Sequence, residues 1–146
     1  MTTWADLKAK QKVRTHETSK LELESLASVV ERDLRDAAIS ELSADRRFAT
    51  AYNAVLQLSK MVIACSGYRV TGLGHHQTSF KAAALAIGKE AKPYTSYFEL
   101  CRRKRNALDY DVANVATETE AQELLRKAEE FDVLVRHWLE SNFSEM

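Results

Sequence analysis

The chain predicts an all-α fold, an up-and-down bundle of four or five antiparallel helices. Three observations predict it. Apolar residues recur at helical spacing along most of the length, glycine and proline together are only four and one residues, and no stretch alternates as a half-buried strand would. With 146 residues, 45% of them apolar, the chain can bury a core without help from disulfides or metals. Residues 1–18 are polar and weakly patterned (Lys8, Lys10, Lys12, Arg14, His16), which predicts a separate N-terminal segment with a short helix and a mobile stretch. Residues 19–146 are expected to form a single helical domain.

The elements follow in order. Leu23, Leu26, Val30, Leu34, Ala37 and Ala38 predict a helix near 19–41. Ser43 with Asp45 reads as the next helix start, and Phe48, Ala51, Tyr52, Val55, Leu56, Ser59, Val62 and Ile63 form its long stripe, ending before Gly67. Residues 67–77 hold three of the four glycines and predict a loop. A shorter helix after Thr78 carries Phe80, Ala83, Ala84 and Ile87 and stops at Gly88. Pro93 bars continuation and opens a fourth helix with Tyr94, Tyr97, Phe98, Cys101 and Leu108. Thr117 and Glu120 make a capping box for a last helix near 118–142, striped by Ala121, Leu124, Ala128, Phe131, Val135 and Trp138.

Charge narrows the function classes. Basic and acidic residues balance at 21 each, so no whole-molecule field favours nucleic acid, and any basic footprint is local. Cys65 and Cys101 lie on apolar helix faces without metal spacing, which predicts buried, reduced thiols. No apolar run approaches the ~20 residues of a membrane span, and the opening residues lack the apolar stretch of a secretory leader. A cytoplasmic location without membrane association is expected. Glycine-loop, diiron and nucleophile-elbow patterns are missing, and no cofactor is expected.

One segment stands apart. Arg102, Arg103, Lys104 and Arg105 form an unbroken basic run at the end of the fourth helix, followed by Asn106, Asp109, Tyr110 and Asp111. On a helix Arg102, Arg105 and Asp109 share a face, and Asn106 and Tyr110 are neighbours. The run is suited to an anion: Arg105 offers a bidentate fork for phosphate, with Asn106 beside it. The alternative is that Arg102 and Arg105 pair with Asp109, Asp111 or acids of the last helix and tie two helices together, a contribution of ~0–1 kcal/mol per exposed pair. Tyr94, Tyr97 and Phe98 are placed to stack bases, but at helical spacing they read first as core. His75 and His76 are expected either to cap the helix that follows or to lean over the Arg105 cluster. Adjacent histidines rarely ligate one metal together, and no metal site is expected. His16 and His137 read as surface residues.

Arg105-Asn106 followed by Tyr110, together with the long helix 48–65, the glycine-rich segment ending in His75-His76 and the C-terminal helix, resembles the HEPN-domain superfamily of small helical bundles. The resemblance spans roughly residues 20–142. It implies a HEPN-like fold, a homodimer, and a metal-independent ribonuclease site in which an arginine binds the scissile phosphate, a polar residue orients it and a histidine moves the proton. Arg105 and Asn106 match the first two. Tyr110 stands at the histidine position, and a phenol with a pKa of ~10 cannot replace an imidazole near ~6.5 in neutral proton transfer. The resemblance thus implies an RNA- or nucleotide-binding domain with a weak or degenerate ribonuclease, in a toxin–antitoxin or defence setting, with His75 or His76 as acid or base. Its alternative is a non-catalytic module that pairs with a nucleotidyltransferase or another protein.

Overall fold

The computed structural model describes residues 2–72, 74–108 and 114–143. Among the described residues it is a helical bundle with a small two-stranded sheet at one corner. The elements are α1 (Trp4–Ala9), β1 (Val13–Thr15), α2 (Lys20–Ala37), α3 (Ala44–Cys65), β2 (Tyr68–Val70), α4 (His75–Ile87), α5 (Lys92–Leu108) and α6 (Glu118–Asn142).

The centre is α3. Its apolar positions do not form a stripe: Phe48, Tyr52, Val55, Leu58, Val62 and Ile63 are all essentially inaccessible. A helix apolar on nearly every side must be covered on every side, and α2, α4, α5 and α6 pack around it. The core closes with Val30 of α2, Phe80 of α4, Phe98 of α5, and Leu124, Phe131 and Val135 of α6. Phe98 sits edge-on to Phe131 at 5.1 Å between centroids, in the geometry that aromatic quadrupoles prefer. The apolar stripe of α6 is therefore spent inside this chain.

The helix ends follow the capping residues. Ser43 accepts from the Arg46 amide to start α3, and Thr117 and Glu120 cap α6 reciprocally. Gly88, at φ +107°, ends α4 in a conformation that only glycine adopts without strain. Pro93 falls in the first turn of α5, where its missing N–H costs nothing.

Two expectations are corrected. The 67–77 stretch is not a plain loop. Tyr68–Val70 is a strand, and α4 begins at His75, three residues before Thr78. The partner of β2 comes from the polar N-terminal segment: Val13 pairs with Val70, Arg14 with Arg69 and Thr15 with Tyr68, antiparallel. Leu7 and Val13 join Ile63 and Ala82 in a second small core, and Trp4 stacks flat on Tyr68 at 4.5 Å. These contacts tie residues 4–15 to the bundle. No helix is long and apolar enough to cross a membrane among the described residues.

Polar ties close the corner where α2, α3 and α6 meet. The buried Arg47 donates from Nε to the Ala37 carbonyl at 2.9 Å, at the end of α2, and pairs with Glu118 at 2.7 Å, at the start of α6. Asp45 accepts from the backbone amides of Asn114 and Ala116 at 2.6 and 2.8 Å. Buried Asp33 accepts from Asn53 at 2.7 Å and pairs with Arg32 at 3.0 Å.

Candidate functional site

The start of α4 and the final turns of α5 face α3 at the level of Tyr52. Gly74 occupies the N-cap position of α4 with φ +76° and no side chain caps the helix, so its first residues, His75 and His76, are presented at an open helix end. The two imidazoles meet edge to face at 4.4 Å. They do not cap α4.

His76 is held by Tyr52, whose hydroxyl lies 3.1 Å from Nδ1. Tyr52 is 1% exposed, and a buried hydroxyl hydrogen needs an acceptor. Donation from the phenol to Nδ1 satisfies it and leaves the single proton of a neutral ring on Nε2. Both protonation states agree with this. Burial drives the Tyr52 phenol well above its ordinary value, so it stays a donor. His76 is pushed down to about 4 by burial first, then by His75, Lys60, Arg105 and Arg102. The ring is neutral at pH 7 and stands in the field of two of the four cations of the basic run.

That run divides. Arg102 donates Nε and Nη2 to Oε1 of Glu99, at 2.9 and 2.7 Å, while Oε2 of Glu99 is buried and, among the described residues, has no hydrogen-bond partner. Arg103 and Asn106 are exposed. Lys104 turns to the other side: Nζ donates to the Val115 carbonyl at 3.1 Å and pairs with Glu120 at 3.0 Å, pinning the beginning of α6. Arg102 finds its acid on its own helix rather than on the last one, and Lys104 makes the tie between helices. Tyr110, Asp109 and Asp111 lie outside the described residues.

Of the residues marked from sequence, His76 is thus placed near Arg102 and Arg105, with His75 beside it. Tyr52 is the residue that sequence reading missed as a site component, because in sequence it is one more apolar position of the α3 stripe. Only its polar handle, four residues after Phe48 in a buried helix, hints that it needs a partner. Tyr94, Tyr97 and Phe98 pack against or within the core, so they are not a base-stacking platform. The two thiols are buried, and burial first of all raises each to about 11, which leaves them protonated and poorly nucleophilic at neutral pH. Among the described residues, no three His, Cys, Asp or Glu side chains converge in a way that would hold a metal ion.

Alongside the site, α4 and α5 border a groove of about 1050 Å³, with Phe80, Ala84 and Leu85 on its walls, Lys81, Lys89 and Lys92 along it, and Gln77 and Glu99 among its lining. No family model, curated protein or solved structure matches this chain.

Proposed function

We propose that the chain is a HEPN-like domain that binds RNA or nucleotides through phosphate contacts at the α4–α5 corner. The observation that carries the reading is the Tyr52–His76 pair, 3.1 Å apart, standing in the field of Arg102 and Arg105. A neutral imidazole fixed through Nδ1 offers Nε2–H to a phosphate oxygen, and guanidinium groups beside it supply charge-assisted contacts. The lysines bordering the α4–α5 groove extend the same positive lining. In this reading Arg105 and Arg102 hold the phosphate, Asn106 and Tyr110 orient it, and His76 or His75 is the proton-transfer group of a weak, metal-independent ribonuclease acting in a toxin–antitoxin or defence setting. The domain works as a homodimer in the cytoplasm. Because the α6 stripe is buried within one chain, the dimer would form through another face, with the family resemblance as its support.

The second reading, a non-catalytic module paired with a nucleotidyltransferase, is favoured by the phenol at position 110, which removes the histidine that the resemblance requires. The deciding measurement is RNA binding against salt. Affinity should fall steeply as salt rises, and Arg105→Ala should weaken binding by ~1.5–3 kcal/mol. Salt-independent binding, or a folded Arg105→Ala chain that binds unchanged, would remove the phosphate reading. Light scattering should give about twice the 16.5 kDa chain mass.

A further inference from the structure

A second polar site lies on the other side of His75. Between α2, α3 and the β1–β2 strand pair is a cavity of about 280 Å³ whose polar lining includes His16, Glu22, Gln57, Lys60, Arg69 and His75 over an apolar floor. Three features of its charge are unusual. Lys60 is half-buried and, among the described residues, has no hydrogen bond or ion pair, although a desolvated ammonium ordinarily acquires one. Arg69 lines the same cavity, and its charge adds to the burial that lowers the Lys60 pKa. Arg14 sits directly across the strand pair from Arg69 in the register, an opposition of like charges that weakens such a pair.

The one acid in the lining, among the described residues, can offset only one of the two lining cations, Lys60 and Arg69. The carboxylate of Glu22 accepts from Thr18 at 2.7 Å and lies 2.9 Å from His16 Nε2, and these two contacts, in that order, hold its pKa below the ordinary value. It is a fixed wall of the cavity, and the Arg69 charge adds to the causes that lower its pKa, so the lining keeps one cation more than it has acids. Lys60 and Arg69 therefore face the space with positive charge in excess, beside the amide of Gln57 and the His75 ring.

We propose that this cavity binds the dianionic head of a phosphate monoester, with Lys60 and Arg69 as its charged clamp and Gln57 and His75 as neutral hydrogen-bonding groups. The volume, against ~30 Å³ for a water in the liquid, admits a phosphate with a sugar-sized group and not a folded polymer. The phosphate arrives either on a free small molecule or on the end of an oligonucleotide. The second source would make the cavity an end-reading pocket beside the corner described above, since His75 and His76 are adjacent. The clamp itself does not depend on the RNA reading.

The test is calorimetric titration of the full chain with ribose 5-phosphate, with ribose as the uncharged control, and with a short RNA carrying either a 5′-phosphate or a 5′-hydroxyl. Phosphate-dependent binding is expected in at least one arm, and the arm tells the source. Lys60→Met and Arg69→Gln should each weaken that binding about tenfold or more, the loss of one charge-assisted contact, while Lys60→Arg retains most of it. The preference for a 5′-phosphate over a 5′-hydroxyl, or for ribose 5-phosphate over ribose, should persist in Arg105→Ala even where that variant weakens RNA binding as a whole, which separates this site from the α4–α5 corner. The proposal is overturned if no phosphate compound binds, or if binding survives Lys60→Met and Arg69→Gln. Loss on Arg105→Ala with both clamp variants unaffected overturns it as well.

Discussion

Two corners of the same bundle handle their charges in opposite ways. Where α2, α3 and α6 meet, each polar side chain is answered inside the chain: Arg47 by the Ala37 carbonyl and Glu118, Asp33 by Asn53 and Arg32, Asp45 by two backbone amides. Where α4 and α5 meet α3, the answers stop short. Among the described residues, Glu99 leaves one buried carboxylate oxygen without a hydrogen-bond partner, α4 begins without a side-chain cap, and His76 is held neutral among cations. A closed network specifies packing. An open one, kept at the cost of desolvated polar groups, is where a ligand has something to supply.

The sharpest way to strain this contrast is at position 110. If the α4–α5 corner already holds a phosphate, Tyr110→His supplies a group that titrates near neutrality, and general acid–base catalysis contributes typically ~10²–10⁴-fold. Cleavage of a labelled RNA without added metal should rise by part of that factor in Tyr110→His and fall back when Arg105→Ala is added. Brisk cleavage by the unaltered chain that survives Tyr110→Phe would shift the chemistry to His75 and His76. No cleavage by any variant would favour the interaction module.

The next effect belongs to the closed corner. Arg47→Ala removes a buried guanidinium, leaves the Ala37 carbonyl without its donor, and frees the start of α6 from α2. A loss of about 2 kcal/mol is expected in chemical denaturation, from the buried hydrogen bond to the Ala37 carbonyl and the packing of the guanidinium stem, since the Glu118 left behind is exposed. Arg102→Ala, at the open corner, should cost clearly less, because its pair with Glu99 lies within one helix and is partly exposed. If Arg102→Ala proved as damaging as Arg47→Ala, the open corner would be a structural network after all.

The sequence discloses these corners unequally, for physical reasons. Helix ends are legible where a capping residue marks them: Ser43 and Thr117 with Glu120 by their side chains, and Gly88 by its freedom to take a positive φ. The strand pair is illegible because three-residue strands carry no period, and because Val13 meets Val70 only through the tertiary fold. The start of α4 is hidden for the complementary reason: Gly74 leaves no capping signature, and the first plausible cap in the sequence is Thr78. At the site, the basic run was visible as composition, but its division was not. Nothing in the order Arg102, Arg103, Lys104, Arg105 says that Lys104 faces Glu120 while Arg102 and Arg105 bear on His76. Tyr52 was hidden by its own helix, since a phenol among apolar residues declares a role only when its hydrogen-bond partner is known.

The smallest effect tests the open corner through its proton. Below about pH 6.5 an unfolded histidine takes up a proton, whereas folded His76 resists until about 4, chiefly because it is buried and then because His75, Lys60, Arg105 and Arg102 surround it. Between those values the unfolded state binds more protons, so this ring makes stability fall as the pH is lowered through the window; above it both states are neutral and the ring contributes nothing. His75 is lowered in the same direction, by burial and then by Lys60, and adds to the slope. Urea denaturation followed by the fluorescence of Trp4 and Trp138 should therefore show a wild-type chain that loses stability on acidification faster than His76→Gln, with the two curves converging or crossing toward pH 4. Carboxylate titrations are common to both chains and cancel in the difference. Tyr52→Phe removes the donor to Nδ1 and should cost ~1 kcal/mol at neutral pH, and by withdrawing a bond to the neutral ring it should raise the folded-state pKa of His76, so that the acid loss begins at the same pH, ends at a higher one and is smaller. Parallel curves for wild type and His76→Gln would mean that the ring is solvated and titrates normally, and the corner would then be no more open than any other surface.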